Sequence, residues 1–578
     1  LTIFAGHPEH IFLVNVYAVL FFIFRTLTVV AGPHKFLKLS AGVIASYALA
    51  VGLSACVLFP FIQNLNSEFW HGHPPLVGLL NEETRGRILS LALPYFFNNV
   101  PLTYDFEFSG WWGGYLGTLP LAFSFLSLWK NQRRGLNYFF FVLGFLILSK
   151  AYGFFYINWI GYLPVFSLCR YAIHTPHLAA LTTAILAGMG ARAILSEKKL
   201  FCKGLIFSAG LLGWAVFHLI AYRETLRTGI ALNAVYLAAA VLFLFQLILW
   251  VKDRKILNAR TAGIILIIFL TLELFLYIHR ERPKRFESFG KVPYIEFLKS
   301  NPSPARAYGI LGPLYPNTAT GFAVDDLGIF FGLLPKRYVT FMNTLIKENL
   351  FVPDLRPPAL RAIPLPATAK HFLDLLNIRY IITPAPEAIS RLIKNYDPSA
   401  AESGNPPVYK NEVTIYERSS AFPRAYIVHK AVFQPDAKAA FGILKKFQLH
   451  LREFAVINAP PINDIAGRLA ALAPEIKSSA AVKRYEANDV VVEADLKAPG
   501  FLILADSYHP DWKVFVDGKE DKIYPANNLM RAVYLSAGKH EVRFAFQPMW
   551  FTAGLILGFL SLCAVIAMML PFRTEEKP

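Results

Sequence analysis

The sequence predicts a polytopic α-helical membrane protein with a large water-facing domain placed before its last membrane span. Apolar stretches fill residues 1–278 and return at 549–571, and about 20 apolar residues in a row are enough to cross a bilayer. Between Arg280 and Pro548 the chain is polar and holds no apolar run of that length. Hydrophobic residues make up 55% of the 578 residues, above the roughly 45–50% of soluble domains. This layout favours an enzyme whose helices hold a lipid-linked substrate while its domain works in water.

The apolar stretches divide into about nine predicted spans, which are residues 11–30, 39–61, 115–129, 136–148, 177–195, 204–221, 229–251, 262–277 and 550–570. Lysines and arginines recur in every second loop, as after the third span at Lys130 and after the seventh span at Lys252. Basic loops of this kind stay in the cytoplasm. The external segments are therefore predicted to be 62–114, 149–176 and 279–548, with the tail 572–578 inside.

The large external segment divides into two predicted regions. Residues 279–479 mix helix and strand signals and predict an α/β region. Residues 480–548 carry five strand-like runs separated by turns such as Asp517-Gly518, a pattern typical of a β-sandwich. The four cysteines, which are Cys56, Cys169, Cys202 and Cys563, lie outside both regions, so we expect the domain to fold without disulfides.

Composition and motifs exclude several classes of function. The net charge of +18 lies largely in short loops between spans, where it sets topology, so nucleic acid is not the expected partner. The sequence has no Walker loop, dinucleotide fingerprint, cysteine-based zinc motif or nucleophile elbow. The spans are mostly unbroken and show no repeat, which argues against a transporter. The chain starts at Leu1 without a signal peptide, and we interpret it as an N-terminally truncated fragment.

Several blocks of sequence together resemble the YfhO family of bacterial membrane proteins. The most specific blocks are Ser507-Tyr-His-Pro-Asp-Trp-Lys-Val-Phe-Val-Asp-Gly518, Pro525-Ala-Asn-Asn and Ala537-Gly-Lys-His-Glu-Val-Arg-Phe. Further blocks are Ala5-Gly-His-Pro-Glu9, Leu163-Pro-Val-Phe-Ser-Leu-Cys-Arg170 and Leu375-Leu-Asn-Ile-Arg-Tyr-Ile-Ile-Thr383. The resemblance runs nearly end to end. It implies a GT-C-like membrane glycosyltransferase.

Such an enzyme takes a sugar from a polyprenyl-phosphate donor and passes it to a cell-envelope acceptor on the outer face of the cytoplasmic membrane. The implied partners are therefore membrane lipid, the lipid-linked sugar and an envelope polymer or glycan. In that superfamily the main catalytic carboxylate lies in the first external loop. The resemblance places most of that loop before Leu1, so this carboxylate is expected outside the chain.

A transferase of this type needs a carboxylate to deprotonate the acceptor hydroxyl or to hold a divalent metal. Within the chain the catalytic candidates are Asp105 and Glu107, which lie on an external loop just before a span. The alternative is that they are ordinary surface acids. Glu273 is the one carboxylate well inside a predicted span, and acids at such depth mark functional sites by default, although nearness to water also allows a passive role.

The leaving phosphate needs a cation. Arg170 lies in the apolar segment 149–176, and His174 follows one helical turn later. We expect this pair to bind the phosphate of the lipid carrier. The alternative is that Arg170 forms a structural pair with a carboxylate such as Glu273.

Two further pairs are candidates for ligand binding. His7 and His10 stand at the external start of the first span, at a spacing that allows a metal, and the alternative is interfacial capping. Tyr508 and Trp512 are aromatic side chains that fit a sugar, and the alternative is that they face the domain's own core.

Two functions remain in competition at this point. The first is the polyprenyl-phosphate-dependent glycosyltransferase, and the second is a non-catalytic membrane protein that binds or presents envelope glycans. A transporter is the third and least supported. The sequence does not identify the donor sugar, the acceptor or the need for a metal.

Overall fold

The computed structural model describes residues 8–29, 32–67, 87–94, 96, 115–129, 134–169, 175–221, 228–280, 290–300, 305–310, 313–314, 318–328, 335–346, 369–384, 406–461 and 478–569. The chain separates into two compact units. Unit 1 comprises Leu1–Ala45 and His73–Arg285, and unit 2 comprises Ser46–Gly72 and Phe286–Pro578.

Apolar runs form helices because a helix satisfies its backbone hydrogen bonds internally, as a membrane requires. The helices before the polar segment are α1 Pro8–Val29, α2 Pro33–Leu53, α3 Ala55–Ser67, α4 Thr118–Ser127, α5 Arg134–Ala151, α6 Pro176–Ser196, α7 Phe201–Ala221, α8 Thr228–Asp253 and α9 Ala259–Arg280. The last helix of the described chain is a further apolar one, Met549–Met569.

Six helices of the described chain are long and apolar enough to cross a membrane, and up to seven if a bent pair is one span. The bent pair is Gly135–Ala151 with Tyr156–Tyr162, at 72°. A multi-pass membrane protein is therefore confirmed, while the predicted number of nine spans is not.

Two predicted spans differ from the helices that form. The predicted span 39–61 contains a break, because α2 ends at Leu53 and α3 begins at Ala55. Ser54 occupies the break, and its hydroxyl bonds to the Ala50 carbonyl at 2.6 Å. The predicted span 115–129 becomes the ten-residue α4, because Gly117 at its N-cap has φ 98°, a left-handed conformation that excludes it from the helix.

The core of unit 1 is a helix pack in which α4 and α6 approach most closely. A Cβ atom at Gly190 of α6 would lie 1.9 Å from the backbone oxygen of Phe123 in α4, so only glycine permits this separation. Around the contact, apolar side chains from α4, α6 and α8 form one buried cluster that includes Leu119, Phe123, Leu126, Ile194, Phe245 and Leu249.

Unit 2 begins its polar part with a small mixed sheet. Its strands are β1 Arg306–Gly309, β2 Ile378–Pro384, β3 Pro407–Lys410 and β4 Val413–Glu417, in the order β1-β2-β4-β3. β1 and β2 are parallel, and the other pairs are antiparallel. Short helices accompany this sheet, namely α10 Pro293–Lys299, α11 Thr318–Gly321, α12 Lys336–Phe341 and α13 Lys370–Leu375.

Two further sheets pack face to face. Their strands are β5 Ala425–Val428, β6 Lys430–Phe433, β7 Phe454–Ile457, β8 Ser479–Glu486, β9 Asp489–Leu496, β10 Gly500–Leu504, β11 Trp512–Val516, β12 Lys519–Asp521, β13 Tyr524–Ala526, β14 Met530–Leu535 and β15 Gly538–Phe546. One sheet has the order β5-β10-β14-β13-β7-β6, and the other has the order β12-β11-β15-β9-β8.

The predicted β-rich C-terminal region is thus present as a sandwich. Val492, Phe544, Leu502 and Val533, from both sheets, share one buried cluster. The six-stranded sheet also takes β5, β6 and β7 from residues 425–457, upstream of the predicted start at 480. The helix α14 Ala437–Lys446 connects the parallel strands β6 and β7, and Asp436 caps it by accepting from the Ala439 amide at 2.7 Å.

The sandwich leads into α15 Met549–Met569, which packs against α3 within unit 2. A Cβ atom at Gly554 would lie 2.4 Å from the Ala55 carbonyl oxygen. Trp550 meets Phe59 edge to face, with ring centroids 5.9 Å apart. Small residues that allow close backbone approach are the usual means by which membrane helices associate.

Candidate functional site

The Glu273 carboxylate lies buried in α9 and is held by three donors from one segment of unit 1. Its Oε1 accepts from the Tyr115 hydroxyl and from the Thr118 amide, both at 2.7 Å. Its Oε2 accepts from the Leu119 amide at 3.1 Å. Thr118 and Leu119 open α4, so the carboxylate caps a helix N-terminus, where unpaired amides and the helix dipole favour negative charge.

This arrangement accounts for an acidic side chain inside an otherwise apolar helix. Sequence reasoning identified Glu273 as an intramembrane acid but did not identify its donors. Gly117-Thr118 at a helix start is the signal that could have pointed to an anion there. The geometry supports a structural role for Glu273 and leaves a functional role untested.

Five of the predicted site residues lie outside the described residues: Asp105, Glu107, Arg170, His174 and His7. Their predicted roles therefore remain predictions. His10 is described, and its ring meets the His177 ring edge to face, with centroids 4.6 Å apart. In the part of the chain that the structure describes, no group of three or more His, Cys, Asp or Glu side chains is placed to hold a metal ion.

The sequence block 507–518 begins with residues that lie between β10 and β11. We call residues 507–511 the 507–511 loop. Its backbone is fixed at three points. The Tyr508 amide donates to the Leu529 carbonyl at 2.7 Å, the Trp512 amide to the His509 carbonyl at 3.1 Å, and the Gln547 amide to the Asp511 carbonyl at 2.8 Å. The loop is therefore tied both to Leu529, just before β14, and to Gln547, just before α15.

The two aromatic side chains predicted to bind sugar are half-buried and each contacts an arginine. The Arg337 guanidinium lies 5.3 Å from the centroid of the Tyr508 ring. The Arg531 guanidinium lies 3.7 Å from the centroid of the Trp512 ring, which also packs on Phe546 at 5.3 Å. These contacts support the alternative of a structural role, and sugar binding stays a prediction.

A network of buried charges lies beneath this loop and was missed by sequence reasoning. Oδ1 of Asp506 accepts from Arg306 at 2.8 Å and from the Tyr485 hydroxyl at 3.1 Å. Nε of Arg424 lies 3.0 Å from the same oxygen. Burial alone would raise the pKa of Asp506, but the guanidinium groups of Arg424 and Arg306 hold that pKa below its ordinary value.

The neighbouring pair Asp325 and Asp326 extends the network. Asp325 accepts from Arg424 at 2.8 Å. Burial, with the Asp325 charge adding to it, raises the pKa of Asp326 to about 7. Its Oδ2 is buried without a hydrogen-bond partner among the described residues. Asp326 therefore titrates near neutral pH, as functional acids do, and the adjacent acids in the sequence were its only signal.

Two side-chain contacts join the 507–511 loop to the end of α3 within unit 2. Nε2 of Gln63 donates to Oδ1 of Asp511 at 3.2 Å. Nε2 of His509 lies 3.2 Å from Oδ1 of Asn64. An amide oxygen only accepts, so His509 carries its proton on Nε2, and its Nδ1 accepts from the Asp511 amide at 3.2 Å.

Comparison with known proteins identifies the segment that contains this loop. No curated protein and no solved structure matches the chain. Residues 464–558 match the family described as bacterial membrane protein YfhO. The matched segment covers β8 to β15 and the first half of α15. The predicted resemblance to the YfhO family is confirmed over this segment.

Proposed function

We propose that the protein is a membrane glycosyltransferase, which transfers a sugar from a polyprenyl-phosphate donor to a cell-envelope acceptor on the outer face of the bacterial cytoplasmic membrane. The match of residues 464–558 to the YfhO family and the multi-pass helices support this proposal. The observation that carries it is the contact between the 507–511 loop and the end of α3. An enzyme with a donor in lipid and an acceptor in water needs such a connection between its water-facing domain and its membrane helices.

The reaction assigns two kinds of groups. The acceptor hydroxyl oxygen attacks the anomeric carbon of the sugar while the bond from that carbon to the phosphate oxygen breaks, and polyprenyl phosphate leaves. A carboxylate takes the hydroxyl proton, and within this chain we assign that role to Asp105 or Glu107. Arg170, helped by His174, binds the leaving phosphate, because a guanidinium forms two parallel hydrogen bonds with phosphate oxygens.

Transfer assays on full-length protein in lipid nanodiscs test this assignment. The protein is incubated with a panel of radiolabelled polyprenyl-phosphate sugars and an envelope fraction as acceptor. Arg170→Lys should reduce transfer sharply, because a lysine gives no parallel pair of hydrogen bonds, and Arg170→Ala should abolish it. Arg192→Ala removes an exposed arginine of α6 and serves as the matched control.

The outcomes separate the competing interpretations. Near-normal transfer by Arg170→Ala removes Arg170 from the mechanism. Lower thermal stability of Arg170→Ala, partly restored by Glu273→Gln, indicates the structural pair instead. No transfer by the parent protein with any donor, together with retained glycan binding, favours the non-catalytic alternative.

A further inference from the structure

We propose that Arg531 is a positioning residue, which shapes the 507–511 loop for its contact with the end of α3. This contact joins the sandwich to the short apolar helix α3. The inference does not depend on the proposed transfer reaction, because its test measures structure in the loop and in α3.

Arg531 is a charged side chain in an apolar strand. It lies in β14 between Met530 and Ala532, and only 5% of its surface is exposed. Burying a guanidinium is costly unless its donors are bound or its charge is balanced. A residue with no role at this position would therefore be expected to be apolar.

The contacts of Arg531 explain what the burial achieves. Its Nε donates to the Ser507 carbonyl at 3.0 Å. Its guanidinium plane lies over the Trp512 ring at 3.7 Å. Asp506, the residue just before the loop, supplies an attractive charge.

Ser507 is the first residue of the loop and Trp512 directly follows its last, so one guanidinium fixes the chain on both sides of the loop. A lysine cannot do this, because its ammonium group has no planar face to stack while an Nε–H donates to a carbonyl. Fixing both sides determines where the residues between them lie. Arg531 therefore acts on α3 through the loop, by its contacts with Ser507 and Trp512.

Two residues between Ser507 and Trp512 carry the side chains that meet α3. His509 and Asp511 are 24% and 12% exposed, respectively, and contact Asn64 and Gln63. Both hydrogen bonds have a fixed direction, so a shift of the loop by a fraction of their 3.2 Å length weakens them. The contacts at α3 thus depend on where the buried Arg531 holds the loop.

Hydrogen–deuterium exchange on the full-length protein in nanodiscs tests the inference. Arg531→Lys should speed exchange by roughly tenfold, the factor expected for losing a cation–π contact. The increase should appear in peptides covering 506–512 and 61–67. Peptides from β9 and β15 should be unchanged, and so should the melting temperature of the sandwich. Arg543→Gln is the matched control, because Arg543 lies in β15 and is exposed beside Asp489.

Two further variants keep the inference testable if Arg531→Lys fails to fold. Trp512→Leu removes the stacked ring and should raise exchange in the same two peptides. Asn64→Leu removes the acceptor on α3, and should raise exchange at 61–67 and 508–511 while β14 stays protected. Faster exchange spread over the whole sandwich, with α3 unaffected, would overturn the inference and leave Arg531 with a role in folding alone.

Discussion

Two glycines of α6 allow the helix packing of unit 1 to be tested with a control two residues away. A Cβ atom at Gly190 would lie 1.9 Å from the Phe123 carbonyl oxygen and 2.5 Å from its carbonyl carbon. A Cβ atom at Gly188 would meet nothing within 4 Å. We therefore predict that Gly190→Ala destabilises the protein relative to Gly188→Ala.

The magnitude follows from the geometry. Ordinary contact begins at about 3.4 Å, so α4 and α6 must separate by about 1.5 Å, the difference between 3.4 and 1.9 Å. The obstructing atom is backbone and cannot rotate away. Overpacking of this kind costs about 1–3 kcal/mol. Both variants gain the same preference of alanine over glycine in a helix, about 1 kcal/mol. The difference between them therefore isolates the steric cost.

Thermal unfolding of the two full-length variants in the same detergent measures this difference. At roughly 2–4 °C for each kcal/mol in a unit of this size, Gly190→Ala should melt between about 2 and 12 °C below Gly188→Ala. Gly188→Ala should melt at or slightly above the parent. Equal melting temperatures for the two variants would refute the close approach of α4 and α6.

Three further predictions concern charge and topology. Glu273→Gln should lower the free energy of unfolding by about 1–3 kcal/mol, because a glutamine amide offers only one acceptor oxygen to the two α4 amides. Thermal unfolding measures this loss, with Glu296→Gln, a change at an exposed acid of α10, as the control. The folded pKa of Asp326, about 7, is above its ordinary value of 3.8, so the folded state binds more protons between these values and stability is lost as the pH rises through 7. Asp326→Asn should therefore raise the melting temperature more at pH 8 than at pH 4. With the native cysteines replaced by serine, an impermeant maleimide should label Lys410→Cys and not Asn131→Cys in intact cells, and the reverse pattern would overturn the topology.

Apolar runs predicted the positions of the long helices well. The predicted spans 177–195 and 229–251 correspond to α6 Pro176–Ser196 and α8 Thr228–Asp253. Hydropathy did not predict the break at Ser54, because a serine that bonds back to Ala50 leaves the run apolar enough to read as one span. Hydropathy averaged over a window of residues measures how apolar a run is and does not show where its helix breaks.

The sandwich shows a second limit of sequence reasoning. Local patterns predicted five of the eight strands in the 480–548 region, namely β9, β10, β11, β14 and β15, since each of them carries its own pattern. The strands β8, β12 and β13 were not predicted. Local patterns also did not predict that β5, β6 and β7 complete the sheet, because the pairing of Phe501 with Val428 depends on contacts far apart in the chain. Strand identity is a local property, whereas strand partners are set by the whole fold.

The candidate site was predictable only in part. A carboxylate inside an apolar helix marked Glu273, but its donors come from residues more than 150 positions earlier. Arg531 was missed, although one arginine in the run Leu-Met-Arg-Ala-Val-Tyr-Leu already indicates a buried cation in need of partners. A lone charge in an apolar strand is the signal to follow.

The aromatic residues Tyr508 and Trp512 call for an experiment that separates two causes of the same result. A sugar stacked on the face of Trp512 that Arg531 covers would have to displace the guanidinium of Arg531, which is buried and would lose its stacked ring. Loss of transfer in Trp512→Leu would therefore report either a lost sugar contact or a displaced loop. Asn64→Leu distinguishes these two causes, because Asn64 contacts His509 and its replacement leaves both aromatic rings unaltered. If Asn64→Leu reproduces the loss of transfer at saturating donor, the loop position is responsible. If it retains full transfer while Trp512→Leu does not, the ring itself contacts the sugar.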